Sequence, residues 1–189
     1  SIASPDDANS WDYDTRWTSF YGRLQYDYKK KYLLSAMIRR DASSKFGPDN
    51  KRGYFPSIAA SWNISNEKFL STIENINILK LRASVGRVGS TNVSDFAYLQ
   101  FFQNSASNIY NGNSGIVADD NFPNPKIGWE TTDEVNIGLD FGLFNNRIKG
   151  NFDAYSRKTT GALVKTPISL ELGPKVYYSN FMDVTNKGI

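Results

Sequence analysis

The side chains able to do chemistry here are carboxylates, amides and aromatic faces, because the 189 residues include no cysteine and no histidine. That absence removes thiol nucleophiles, Cys/His zinc sites, histidine-based triads and histidine pH switches together. Three groupings remain. Asp119-Asp120-Asn121 offers hard oxygens to Ca²⁺ but lacks the regular spacing of a calcium loop. Glu130 with Asp133 or Glu134 supplies paired carboxylates of the kind a glycoside hydrolase uses, although the separation that decides such chemistry is not a property of sequence spacing. The third is the segment from Gly89 to Gly128, where Phe96, Tyr98, Phe101, Phe102 and Tyr110 stand among many Asn and Ser. Stacking faces interleaved with amides suit a sugar or a partner protein, and they equally suit a loop that packs on itself. Phe101, Phe102 and Tyr110 are the expected substrate or partner contacts. No phosphate-cradling glycine loop with its lysine and no nucleophile elbow occurs, and neither catalytic residues, metal nor cofactor are expected. The matches to the glycosylation pattern at Asn63-Ile64-Ser65 and Asn92-Val93-Ser94 read as coincidence.

The elements that must position these residues are strands. From Trp17 to Tyr28, Phe20, Gly22, Leu24, Tyr26 and Tyr28 share one face against Ser19, Tyr21, Arg23, Gln25 and Asp27, the period of two that marks β-structure. Lys29-Lys30-Lys31 reads as a tight turn into a second alternation beginning at Tyr32. Ser43 to Gly53, with Gly47-Pro48-Asp49-Asn50, is a charged loop, and the chain returns through Phe55 to Trp62 with Pro56 confined to the strand's beginning. Between Asn63 and Asn77, Ser65 is placed as an N-cap ahead of Glu67, predicting one or two helical turns. Ile78 to Val88 and Glu130 to Phe144 resume the alternation. Asn145-Asn146 accepts positive φ and turns the chain into Arg147 to Arg157. Gly89 to Gly128 is too long for an idle connection and is expected to be locally structured, with a short strand at Ala97 to Phe102. Thr159 to Lys187 reads as another long excursion, with Gly188-Ile189 opening a further strand.

Composition fits this pattern. Aromatic residues make up 14% of the chain, yet mean hydropathy is −0.48, so apolar groups are plentiful but interleaved with polar ones. The net charge of +3 is not clustered, its densest run being Lys29-Lys30-Lys31, which argues against a nucleic-acid footprint. No run of ~18 apolar residues is present to form a transmembrane helix. The chain begins at Ser1 without Met, and Ser1 to Asp14 is polar, as expected for a piece of a larger protein.

Three features together predict the wall of a membrane barrel. The strands reach the ~9 to 11 residues a tilted strand needs to cross the hydrocarbon layer. Turns alternate in length, which places every long loop on one side and both tight turns on the other, and the tight-turn side is then periplasmic. One row of each strand is aliphatic with aromatics such as Tyr26, Tyr28, Tyr32, Trp62 and Phe144 near the short-turn ends, while the opposite row carries Arg23, Asp27, Arg39, Arg82, Glu134, Asp140, Lys149 and Asp153, expected to line a wet lumen. Six to seven strands fall short of the ~8 that close the smallest such barrel, so both ends are expected to be open edges. The alternatives from pattern alone are a soluble β-sandwich that binds carbohydrate and a β-rich glycoside hydrolase.

Particular runs resemble a known family. Leu33-Leu34-Ser35-Ala36, Arg39-Arg40-Asp41-Ala42-Ser43-Ser44-Lys45-Phe46-Gly47, Gly53-Tyr54-Phe55-Pro56-Ser57 and Ala60-Ser61-Trp62 are similar to the barrel of SusC/RagA-type TonB-dependent transporters. So are Leu79 to Gly89, Asn124 to Thr132, Asn136 to Asp140, Asn146-Arg147-Ile148, Asp153-Ala154-Tyr155 and Asp183 to Ile189, while Gly89-Ser90-Thr91-Asn92 departs from the commoner Gly-Asn. The resemblance implies an all-β fold in which residues 1–189 are part of an antiparallel outer-membrane barrel of about 22 strands. It further implies Bacteroidota as source and import of oligosaccharides or peptides captured with a SusD-like surface lipoprotein. Energy would come from the TonB–ExbB–ExbD complex through the parent's N-terminal region. The plug and TonB box of such a parent are not among these residues.

Overall fold

The computed structural model describes residues 14–70, 73, 75–110, 113–169, 171 and 173–189, with 103–110, 113 and 114 described as backbone. The polar stretch read at Ser1 to Asp14 lies outside the described residues apart from Asp14. The chain is all-β: β1 Trp17–Tyr28, β2 Tyr32–Ser43, β3 Arg52–Asn63, β4 Ile76–Ser90, β5 Phe102–Tyr110, β6 Asn113–Ala118, β7 Asn121–Phe122, β8 Glu130–Leu143, β9 Ile148–Pro167 and β10 Val176–Gly188. Seven of these, 12 to 20 residues long, form one antiparallel sheet in the order β1-β2-β3-β4-β8-β9-β10, and β7 adds two residues in parallel to the far edge of β10. The sheet is curved wall, not closed barrel, and β1 is its first edge.

The tight turns follow from local chemistry. Lys31 N–H donates to Tyr28 O at 3.0 Å across Lys29 and Lys30, both at positive φ, and Arg147 N–H donates to Phe144 O at 3.2 Å across Asn145 and Asn146, also positive. Positive φ at both central residues is the type I′ geometry whose twist matches flanking strands. Asn tolerates it; lysine does so at a cost, offset here by Asp27 Oδ1 accepting from Lys30 N–H at 2.8 Å and by the Asn63 and Asn66 amides donating to Lys30 O at 2.7 and 2.8 Å.

Four readings need correction. The short strand lies at Phe102–Tyr110, paired with β6, and not at Ala97 to Phe102, where Phe96 at positive φ and successive turns break the extension. Ser65 sits inside a 3₁₀ turn, Ile64–Asn66, whose N-cap position is Asn63; that side chain is drawn to Lys30 O and makes no cap bond. Thr159 to Lys187 is mostly strand: β9 overruns its expected end by ten residues and β10 returns, leaving only 168–175 as loop. The cause is a pair of register shifts against β10, one at Phe181 and one where Thr160 and Gly161, the latter at φ +64°, bulge between the Met182 and Val184 pairs; they reset which residues share a face, so a simple period of two fails there. Gly188 accordingly ends the seventh strand instead of opening it.

The sandwich alternative fails on burial. A sandwich hides its apolar rows between two sheets; here Phe20, Leu24, Leu34, Ile38, Ile58, Val85, Ile137 and Phe152 lie uncovered on a single layer. The buried core sits elsewhere, where Phe46, Val93, Ala97 and Ile127 from the long loops pack with Tyr98, Trp129, Leu163 and Tyr178 at one rim.

Candidate functional site

Register decides which residues share a face. Arg23 pairs with Met37, Met37 with Ser57, Ser57 with Gly86, Gly86 with Glu134 and Glu134 with Arg157, one continuous row across six strands. By the same ladder and the alternation of side chains, Arg23, Asp27, Arg39, Arg82, Glu134, Asp140, Lys149 and Asp153 all fall on one face of the sheet.

On that face the charges are knitted together. Arg82 sets Nε at 3.0 Å from Asp140 Oδ2 and Nη2 at 2.8 Å from Oδ1, and the same Nη2 reaches Asp153 at 3.1 to 3.2 Å. The guanidinium gets there by lying across Gly138, which stands between Arg82 and Asp153 in the ladder, where a Cβ would be 2.5 Å from Asp153 Oδ1 and 2.7 Å from Arg82 Nη2. Arg157 clasps Glu134 at 2.8 and 3.3 Å. Arg39 pairs with buried Asp41 at 2.9 Å while its guanidinium rests over the Phe55 ring at 5.6 Å. Arg23 and Lys149 have no ion-pair partner among the described residues, and Asp27 is committed to the Lys29-Lys30 turn. Between the charges, small side chains Ser35, Ala59, Ser61 and Ser84 leave a shallow trough of about 500 Å³ bordered by Gln25, Asp27, Lys80, Arg82 and Asn136.

The loop contacts are placed less evenly. Phe102 is exposed, and Phe101 is half-exposed with its ring edge-on to Phe96 at 6.0 Å. Tyr110 has its backbone in β5, and its side chain lies outside the described residues. Asp120 is held by Lys175 at 3.0 Å and Asp119 accepts from Asn121, so this acidic run is tied into its own loop. Glu130 accepts from Leu163 N–H at 3.0 Å and Glu134 is taken by Arg157, while Asp133 lies on the opposite face, bound to Arg87. The carboxylates read as a hydrolase pair therefore do not converge.

Sequence reasoning missed the residues that lock the rim. Trp129 is met edge-on or tilted by Trp17, Phe46 and Phe55, all at centroid distances of 5.2 to 5.3 Å. Three asparagines staple the segment before it: Asn50 Nδ2 donates to Lys126 O, Asn124 Nδ2 to Tyr178 O, and Asn180 holds Gly128 from both sides while reaching Gly161 O at 2.8 Å. The available signal was the set of runs Lys45-Phe46-Gly47, Gly53-Tyr54-Phe55 and Gly128-Trp129, which carried the resemblance without an assigned role. At the opposite end, Glu67 accepts from Lys31 Nζ at 2.7 Å, Tyr32 Oη at 2.8 Å and Trp62 Nε1 at 3.3 Å. The Lys31 hydrogen bond chiefly, then that of Tyr32, holds the Glu67 carboxyl below its ordinary pKa.

This wall, apolar on one face and ion-paired on the other with an interlocked loop rim, matches one family model along its whole length: the TonB-dependent receptor-like β-barrel, over residues 1–189. The chain belongs to that family. Among curated relatives it is 40% identical to TonB-dependent receptor SusC of Bacteroides thetaiotaomicron over 82% of its own length, and 39% identical to TonB-dependent receptor P39 of Formosa agariphila over 90%. It spans 16% of the length of each. Among solved structures, that of the RagAB peptide transporter superposes with TM-score 0.84 at 28% identity, covering 92% of this chain and 19% of that one. The siderophore receptor PirA of Pseudomonas aeruginosa shares the fold at TM-score 0.60 and 14% identity. Family membership accounts for the SusC/RagA-like runs, the all-β fold and the Bacteroidota relatives together.

Proposed function

We propose that this chain is a wall segment of an outer-membrane, TonB-dependent active importer of oligosaccharides or peptides that works with a SusD-like surface lipoprotein. One observation carries the reading: seven strands long enough to cross a bilayer leave one face apolar and uncovered while the other holds its charges in mutual pairs. The apolar face meets lipid, which needs no covering layer, and the charged face meets the water of the lumen, with Arg23, Asp27, Arg39, Arg82, Glu134, Asp140, Lys149 and Asp153 along it. The long-loop rim faces the cell exterior, where exposed Phe101 and Phe102, with Tyr110, contact substrate or the lipoprotein. The name of the RagAB relative, a peptide transporter, favours peptide as one cargo class. Import belongs to the whole protein, energised by TonB–ExbB–ExbD, and is not a property of this segment alone.

The test is fractionation of the intact protein from its native cells. Recovery in the outer membrane, with a surface lipoprotein co-purifying in detergent, is the expected result. A soluble protein that stays monomeric without detergent would overturn it. Replacing Phe101, Phe102 and Tyr110 together by Ala is expected to weaken ligand binding or lipoprotein association, and unchanged values for both would remove the loop assignment.

A further inference from the structure

We propose that Arg40 and Arg52 form a binding site for the phosphate of an outer-leaflet glycolipid of the lipid A type, whose acyl chain lies along Ile38, Pro56 and Ile58. The inference rests on the reading that the apolar face meets the bilayer.

Two aromatic rows bound that face. Tyr28, Tyr32 and Trp62 are cross-strand partners at the short-turn end, and Phe20, Arg40 and Tyr54 form the corresponding row eight residues further along β1 to β3. Eight residues span about 26 Å along a strand, or about 20 Å in height at a tilt of roughly 40°, close to the ~25 Å apolar band of such barrels. Phe20 and Tyr54, 65% and 57% exposed, therefore mark the outward margin, where hydrocarbon gives way to headgroups.

At that margin the guanidinium of Arg40 lies over the Tyr54 ring at 6.0 Å, and it has no ion-pair partner among the described residues. Arg52, opposite Ala42, is its diagonal neighbour on the same face, about 7 to 8 Å away between Cα atoms. The alternate residues that share this face along β1, β2 and β3 include no Asp or Glu. The neighbouring cations are treated differently: Arg39 has Asp41, Arg87 is gripped at both ends by Asp133 at 2.6 and 2.8 Å, and Lys158 has Asp183 at 3.7 Å. On β2 and β3, two forked donors reach the interface without an ion-pair partner among the described residues. A phosphate matches that geometry because guanidinium presents parallel N–H groups to two of its oxygens. The side on which the patch lies is the long-loop side, so the leaflet is the outer one and the phosphate-bearing lipid is its glycolipid.

The test uses the intact protein in detergent and bisphosphorylated lipid A as the probe, with native mass spectrometry reading the bound fraction. R40Q/R52Q is expected to lower affinity by about tenfold, and R52Q alone by about threefold, as loss of two or one charge-assisted contacts requires. R87Q, which removes an arginine already paired, is expected to leave binding within about twofold. Wild-type affinity in R40Q/R52Q, equal binding of a phosphate-free lipid A, or equal binding of phosphatidylglycerol would each overturn the site. Correct assembly of each variant is read from its resistance to unfolding by detergent at room temperature, and R52Q, at an exposed strand end, serves if the double variant does not assemble. A parent found soluble would sink the membrane reading itself; a membrane-resident parent indifferent to these arginines sinks only this inference.

Discussion

Glu67 shows how one side chain ties two connections together. It accepts from Lys31, Tyr32 and Trp62, and so fastens the β3–β4 connection to the β1–β2 turn. Because its carboxyl is held below the ordinary value of 4.5, its stabilising effect is complete above that value and is lost as pH falls through the depressed one. Glu67→Gln is therefore expected to lower stability at pH 7, with the difference from wild type shrinking in acid. Thermal unfolding across pH 7 to 3 checks this, and a constant difference throughout would sink it. Asn180 does comparable service at the rim. Asn180→Ala leaves Gly128 N–H, Gly128 O and Gly161 O without partners, at about 1 to 3 kcal/mol by the usual worth of such bonds. The expected result is faster amide exchange at Gly128 with little change in strands β1 to β4; unchanged exchange at Gly128 would show that the asparagine is not the clamp.

At the level of elements, the turns and the bulge decide more than propensity does. Lys30 adopts φ 55° while its backbone N–H and C=O are both bonded. Glycine at that position keeps those bonds and removes the left-handed penalty, at the cost of greater freedom in the unfolded chain. Lys30→Gly is expected to raise stability by up to about 1 kcal/mol. A measured loss beyond about 1 kcal/mol would mean that the Lys30 side chain carries a contact the turn depends on. The β7 pairing is an element-scale fact of another kind: the loop after β4 passes beyond β8 and β9 to take the outward end of β10's free edge at Val176 and Tyr177. Any strand that follows β10 must pair with it below that point.

For the whole molecule, the exposed apolar face and the open edge at β1 set the solution behaviour. The 189-residue chain alone, in buffer without detergent, is expected to sediment as large aggregates, since unpaired strand edges and a broad apolar surface both recruit further copies. Analytical ultracentrifugation at micromolar concentration tests it; a monodisperse monomer would show that the apolar face is covered in a way this sheet does not provide. Individual ion pairs on the other face are partly exposed and each is worth little. Their collective effect is to keep a row of charge ordered along the wall.

The alternation of residue types determined β1 to β4 and β8 from sequence alone, because a strand with one apolar and one polar face must write that difference at every second position. The same pattern placed all eight predicted wall charges on a common face, and Asn145-Asn146 announced its own turn through its tolerance of positive φ. What the sequence did not disclose lies where side chains answer to distant partners instead of to their own strand. Gly161 broke the period and hid half of β9. Glu67 looked like a helix-start residue until Lys31, Tyr32 and Trp62 stood around it. Phe46, Phe55 and Trp129 are far apart in the chain, and only the closing of β2 against β3 and the folding of the long loop over both brings their rings within 5.2 Å. Local periodicity records the polarity of each face; contacts between loops depend on geometry that no local period encodes.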